Sequence, residues 1–137
     1  MGKSKRLYII GAGFAGRTLA NEISKKAIIG DVVAFLDDDP EKIGRRIDDI
    51  PVLGPIRDVA LLLRTNPADE AIIAIPSASR EYLKELYAIL KAAGVQKIRI
   101  LGNDNISVCY SIVPYFSVFS RLGKLCIVYM STITEMF

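Results

Sequence analysis

One hexapeptide constrains this chain more than any other feature. Gly11-Ala12-Gly13-Phe14-Ala15-Gly16 directly follows the apolar run Leu7-Tyr8-Ile9-Ile10 and precedes Leu19, Ile23 and Ala27, spaced as one face of a helix. The G-x-G-x-x-G spacing alone is a weak signal. A buried strand before it and an amphipathic helix after it are the context that phosphate binding requires. In that context Gly11 permits a tight turn, Gly13 leaves room for a pyrophosphate against the backbone, and Gly16 lets the helix pack closely on the sheet. The unpaired N–H groups at the helix start, with Phe14 and Ala15 among them, and the positive end of the helix dipole then face the anion.

A dinucleotide also needs an acid at the end of the second strand, about 20 residues further on. Val32-Val33-Ala34-Phe35-Leu36 reads as that strand, and Asp37 follows it. Its carboxylate is suited to accept from the hydroxyls of an adenosine ribose. Asp38 and Asp39 are expected to repel a 2′-phosphate, which favours NAD over NADP. The segment Ile75-Pro76-Ser77-Ala78-Ser79 closes another apolar run. Ligands of open parallel sheets lie across such strand ends, so Ile75, Pro76 and Ser77 join the candidate site. Ser77 reads equally well as a ligand to phosphate or ribose and as a structural turn residue, whereas Ser79 reads as a helix cap.

The alternation continues. Pro51-Val52-Leu53 is at most a short strand; Ile56, Val59, Leu62 and Leu63 line a helix that stops at Asn66-Pro67; Ala71 to Ile75 is a strand. Leu83, Leu86, Leu90 and Ala93 line a helix closed by Gly94, and Ile98 to Leu101 is a further strand. Strands alternating with helices predict an α/β fold: a Rossmann-like doubly wound parallel sheet in a single domain over residues 1–101. Residues 102–137 form an atypical apolar tail of uncertain structure. The tail holds both cysteines, Cys109 and Cys126, and Asn105 to Ser120 is uncharged. That uncharged run is short of the ~20 residues a bilayer span needs.

Composition removes several chemistries. The 137 residues contain no histidine, which excludes a histidine general base, a Ser–His or Cys–His pair and a histidine metal site. Two cysteines are not a zinc framework, and no metal is expected. A net charge of +3 with no basic stripe predicts no nucleic-acid partner. The apolar stretch Leu7 to Ile10 is too short for a secretory signal, so the expected location is the cytoplasm. Tyr87 and Lys91 have the Tyr-x-x-x-Lys spacing of short-chain dehydrogenases, but Tyr87 falls beside Leu83, Leu86 and Leu90 and reads as helix packing.

Four segments in one order carry a resemblance: Ile9 to Gly13 with Gly16-Arg17, Ala34 to Pro40, Ile50 to Gly54, and Ile73 to Ser79. Together they resemble the CoA-binding-type Rossmann domain of bacterial polysaccharide-biosynthesis proteins, the N-terminal domain of the nucleotide-sugar 4,6-dehydratase and nucleoside-diphosphate-sugar epimerase family. The resemblance covers residues 6 to about 101. It implies a nucleotide-binding module linked to nucleotide-sugar dehydration, with Gly11, Gly13, Gly16 and Asp37 on the dinucleotide and Ser77 near it. It also implies a homodimer or a separate catalytic domain, and membrane association through a parent protein.

The reading that follows is a module binding NAD, without catalytic residues of its own; CoA or a UDP-sugar is the less favoured ligand. The alternative is a small NAD-dependent nucleotide-sugar dehydrogenase or dehydratase completed by oligomerisation or a partner chain. A third class is an interaction protein whose apolar tail docks a partner or a membrane.

Overall fold

A computed structural model describes residues 2–26, 30–102 and 126–129. The chain runs β1 (Arg6–Ile10), α1 (Phe14–Lys26), β2 (Asp31–Leu36), β3 (Arg46–Ile47) and β4 (Ile50–Leu53). A 3-10 turn (Ile56–Asp58) leads into α2 (Val59–Thr65), β5 (Glu70–Ile73), α3 (Arg80–Ala92), β6 (Lys97–Gly102) and β7 (Cys126–Tyr129). The strands form one sheet in the order β3-β4-β2-β1-β5-β6-β7. From β4 to β6 all neighbours are parallel, and the two edge strands pair antiparallel. This is the Rossmann-like doubly wound sheet that the alternation of elements predicts.

Strand alternation explains why the sheet is covered on both faces. Leu7 and Ile9 of β1 pack with Leu19, Ala20 and Ile23 of α1. Tyr8 and Ile10 point the other way, into a cluster with Val59 of α2 and Leu86 and Leu90 of α3. Leu7, Tyr8, Ile9 and Ile10 are all fully buried, so β1 is the centre of both cores. Burying each such side chain contributes about 1.5–3 kcal/mol before chain entropy is counted.

Several strand boundaries differ from the sequence reading. The strand expected at Pro51 to Leu53 begins at Ile50 and carries a hairpin partner, β3, across a two-residue turn at Asp48 and Asp49. Both residues have positive φ, 49° and 66°, the twist a tight hairpin needs and one that aspartate tolerates. The strand expected from Ala71 to Ile75 begins at Glu70 and ends at Ile73. The apolar repeat of α1 holds at Leu19 and Ile23, while Ala27 and the helix end expected before Gly30 fall on or beside residues outside the described set.

Of the apolar tail, residues 126–129 are described. Cys126 pairs with Gly102 and Tyr129 with Arg99, which sets β7 beside β6 at the sheet edge. Cys109, Pro114 and the uncharged run of residues 105–120 lie outside the described residues. Among the described residues no helix is long and apolar enough to cross a membrane.

Candidate functional site

The carboxyl ends of β1 and β5 point the same way, and the chain leaves them toward opposite faces: α1 follows β1 and α3 follows β5. The two loops part above the sheet and leave a cleft of about 500 Å³. That volume lies in the range of small-ligand sites, and the place is where open α/β sheets bind.

The glycine loop forms one wall. Gly11 has φ 106°, and a Cβ on it would lie 2.9 Å from the Ala74 carbonyl; only glycine fits this turn. At Gly16 a Cβ would lie 1.9 Å from the Gly11 carbonyl oxygen, which is how closely α1 is seated on the loop. Gly13 is the opposite case, since a Cβ there would meet nothing within 4 Å and would project into open space. The Arg17 amide donates to the Gly13 carbonyl at 3.0 Å, so the helix begins at that residue and the amides of Phe14, Ala15 and Gly16 have no intrahelical acceptor. The first turn of α1 contains no acidic side chain, which leaves its positive dipole end for an external anion.

Asp37, at the end of β2, forms the adjoining wall. Its Oδ2 accepts from the Ala12 amide at 2.8 Å and its Oδ1 from the Asp39 amide at 2.9 Å. Lys42 Nζ lies 3.5 Å from Oδ2. Burial pushes the Asp37 carboxyl up, but the Ala12 and Asp39 amides and then Lys42 outweigh it and hold the group below the usual carboxylate value. Asp37 is therefore ionised at neutral pH, and with about four acceptor positions on a carboxylate it keeps capacity facing the cleft.

The other candidate residues divide. Ile75, Pro76 and Ser77 line the cleft from the β5 side, with Gly11, Gly13, Phe14, Ala15, Asp37 and Asp38. Ala12 and Gly16 do not line it. Ala12 is buried and gives its amide to Asp37, and Gly16 faces the loop it packs on; both shape the wall from behind. Asp38 is held by the Ile56 amide, which donates to its Oδ1 at 2.8 Å. Asp39 turns back to accept from the Glu41 amide at 2.9 Å and is not part of the lining. The three aspartates therefore do not form one continuous wall: Asp37 and Asp38 line the cleft, and Asp39 is turned back into its own loop.

Sequence reasoning missed Lys42, Ile56 and Tyr82, all of which line the cleft. Lys42 comes from the loop after β2, where its amide donates to the Asp39 carbonyl at 3.0 Å. Tyr82 is placed by the cap of α3, in which Ser79 Oγ accepts from the Tyr82 amide at 3.1 Å. Burial and the negative charge of Asp38, Glu85 and Asp37 push the Tyr82 hydroxyl up, so it stays a protonated donor. The signal available was positional: Tyr82 lies three residues past a recognisable cap, and Lys42 five past the acid. Tyr87 packs against the core, and Lys91 Nζ lies 6.0 Å from its ring centroid. Neither reaches the cleft, in keeping with helix packing.

Comparison with known proteins adds a second line of evidence. The chain is 30% identical over 106 residues to the redox-sensing transcriptional repressor Rex of Treponema denticola, covering 77% of this chain and 49% of the repressor. RSP, a Rex-family repressor, has been solved with β-NADH and with β-NAD+ and operator DNA. The operator complex matches at 27% identity and a TM-score of 0.60, over 73% of this chain and 44% of that one. The UDP-D-quinovosamine 4-dehydrogenase of Vibrio fischeri matches at 26% identity and a TM-score of 0.68, over 91% of this chain and 93% of that one. The chain spans about half the length of the curated relatives it matches.

These matches correct one expectation. The small net charge predicted no nucleic-acid partner, yet a relative of this chain is a repressor and RSP has been solved on operator DNA. Charge summed over a segment half as long as such a repressor does not report on the rest of it, so it excludes no such partner. A CoA-binding domain family matches residues 2–101, and the chain belongs to that family.

Proposed function

We propose that the chain is a dinucleotide-binding module that holds NAD(H) and performs no chemistry alone. In this reading the pyrophosphate lies on the start of α1 over Gly13, and the adenosine ribose hydroxyls donate to Asp37. The observation that carries the reading is the ionised Asp37 carboxylate at the cleft wall, tied through the Ala12 amide to the glycine loop. Bound NAD would supply hydride exchange. The residues of this chain would bind and orient it, with Ser77 and Tyr82 as neutral donors on the far wall. The NADH and NAD+ complexes of RSP support the ligand. They also favour a role as the nucleotide-sensing portion of a longer regulatory protein.

The likeness to the Vibrio fischeri dehydrogenase, which extends over nearly all of both chains, favours a second reading. In that second reading this chain serves nucleotide-sugar metabolism in polysaccharide biosynthesis, with catalysis completed by a second copy or a partner chain.

Thermal denaturation with NAD, NADH and UDP-N-acetylglucosamine separates the two readings. A ligand at about 100 times its dissociation constant adds about 2.7 kcal/mol, a rise of several degrees in Tm. A rise with NAD or NADH is expected. A rise with the nucleotide sugar as well would favour the second reading, and no rise with any of them would overturn both.

A further inference from the structure

We infer that Lys42 sets the tolerance of this site for a phosphate on the adenosine ribose. The inference rests on the dinucleotide reading above and goes beyond it. The sequence alone places three consecutive acids, Asp37, Asp38 and Asp39, where such a phosphate would come, and so favours NAD over NADP and makes CoA the less favoured ligand. The folded arrangement is different. Asp39 is folded into its own turn, and its carboxylate takes the Glu41 amide. Asp38 is directed to the Ile56 amide and Tyr82. Asp37 and Asp38 both line the cleft, and Lys42 Nζ sits 3.5 Å from Asp37 and 3.8 Å from Asp39.

The position of Lys42 follows from its backbone. The Lys42 and Ile43 amides both donate to the Asp39 carbonyl, at 3.0 and 3.1 Å, and the Gly44 amide donates to Val52 of β4 at 2.9 Å. The loop is therefore closed on itself at Asp39 and pinned to β4 at Gly44, and it delivers its lysine to the rim of the cleft. The ammonium is partly exposed, with 38% of the side chain accessible. It can turn from Asp37 to a phosphate without a change of fold. A plain ribose uses the Asp37 carboxylate, whereas a phosphorylated ribose uses Lys42 and is shielded by it from Asp37. Loss of the lysine leaves the carboxylate uncompensated and selects against the phosphate.

The test is the ratio of dissociation constants for NADP and NAD, measured by calorimetry at one ionic strength for the wild-type protein, Lys42→Gln and Lys42→Arg. The ratio is expected to rise about tenfold in Lys42→Gln, about 1.4 kcal/mol, and to return toward wild type in Lys42→Arg. A lysine that merely holds its loop would weaken both nucleotides alike and leave the ratio unchanged; that result overturns the inference. If the wild-type protein takes neither NAD nor NADP, the NAD reading has failed. The same ratio is then read on CoA against dephospho-CoA, and an unchanged ratio there, or no binding of either, overturns the role of Lys42 as well.

Discussion

Replacing Glu70 with alanine is expected to cost about 3–5 kcal/mol of folding stability, a large share of the 5–15 kcal/mol typical of a domain. Glu70 opens β5 at the end of the sheet opposite the cleft, and 1% of its side chain is accessible. The parallel register sets Lys97 beside it on β6. Arg99, two residues further on the same face, reaches Glu70 Oε2 at 3.1 Å with 9% of its own side chain accessible. Lys5 adds a contact at 3.0 Å to Oε1. The carboxylate therefore sits among three cations, two of them half exposed and one buried. Its removal takes the carboxylate away from the buried Arg99 guanidinium, and losing one half of an internal ion pair is the costly way to break it. The double variant Glu70→Met with Arg99→Met removes both charges and should recover most of the loss. Urea denaturation of the single and double variants checks this account. A single-variant cost under about 1 kcal/mol would show that the cluster is solvated and contributes as little as surface pairs do.

One added methyl group should have opposite consequences at two glycines of the same loop. In Gly16→Ala the new Cβ would lie 1.9 Å from the Gly11 carbonyl oxygen. Neither atom is the end of a flexible side chain, so α1 must move off the loop. Alanine in place of glycine favours a helix by about 1 kcal/mol, but here that gain is opposed by an overlap of backbone with Cβ, and overpacking of this kind costs about 1–3 kcal/mol or more. The variant is expected to lose stability and nucleotide binding together. In Gly13→Ala the Cβ meets nothing within 4 Å, so stability should stay within about 0.5 kcal/mol of wild type, as for other substitutions in open positions. The methyl group then occupies the space over which the pyrophosphate would lie, and NAD affinity should fall at least tenfold. Denaturation and calorimetry on both variants separate the two roles. Equal NAD affinity in Gly13→Ala and wild type would mean that no phosphate approaches that residue.

The parts of this structure legible in the sequence are those written in short-range pattern. β1 is a run of four apolar residues because both of its faces are covered, and that composition marks a central parallel strand. The glycine loop and Asp37 could be placed because strand, turn, helix and acid each leave a separate trace and agree. Less was legible where polar residues do structural work. The hairpin of β3 and β4 turns on Asp48 and Asp49, and an aspartate pair does not advertise positive φ as glycine or asparagine does. Glu70 hides the true start of β5 because a charged residue argues against a buried strand until its partners Lys5, Lys97 and Arg99 are known. The run Asp37 to Asp39 reads as a single acidic patch, yet the three carboxylates take amides from different places: Ala12 and Asp39, Ile56, and Glu41. Lys42 and Tyr82 reach the cleft through folding of the loop after β2 and the cap of α3, and their spacing from the acid and the cap is a trace too slight to be read without that folding.

The central claim is that the carboxylate of Asp37 receives the ribose of a dinucleotide seated on the glycine loop. The most direct measurement is the dissociation constant of NAD for wild type and for Asp37→Asn, by calorimetry at pH 7. Asparagine keeps a carbonyl oxygen for the Ala12 amide but sets its NH2 against the Asp39 amide, so the Tm of the variant is measured beside its affinity to separate loss of the charge from loss of the turn. Hydrogen bonds to a charged acceptor contribute about 1.5–3 kcal/mol each, and the variant should bind NAD at least tenfold more weakly than wild type. Equal affinity in the two proteins, or no binding by wild type, would contradict the claim.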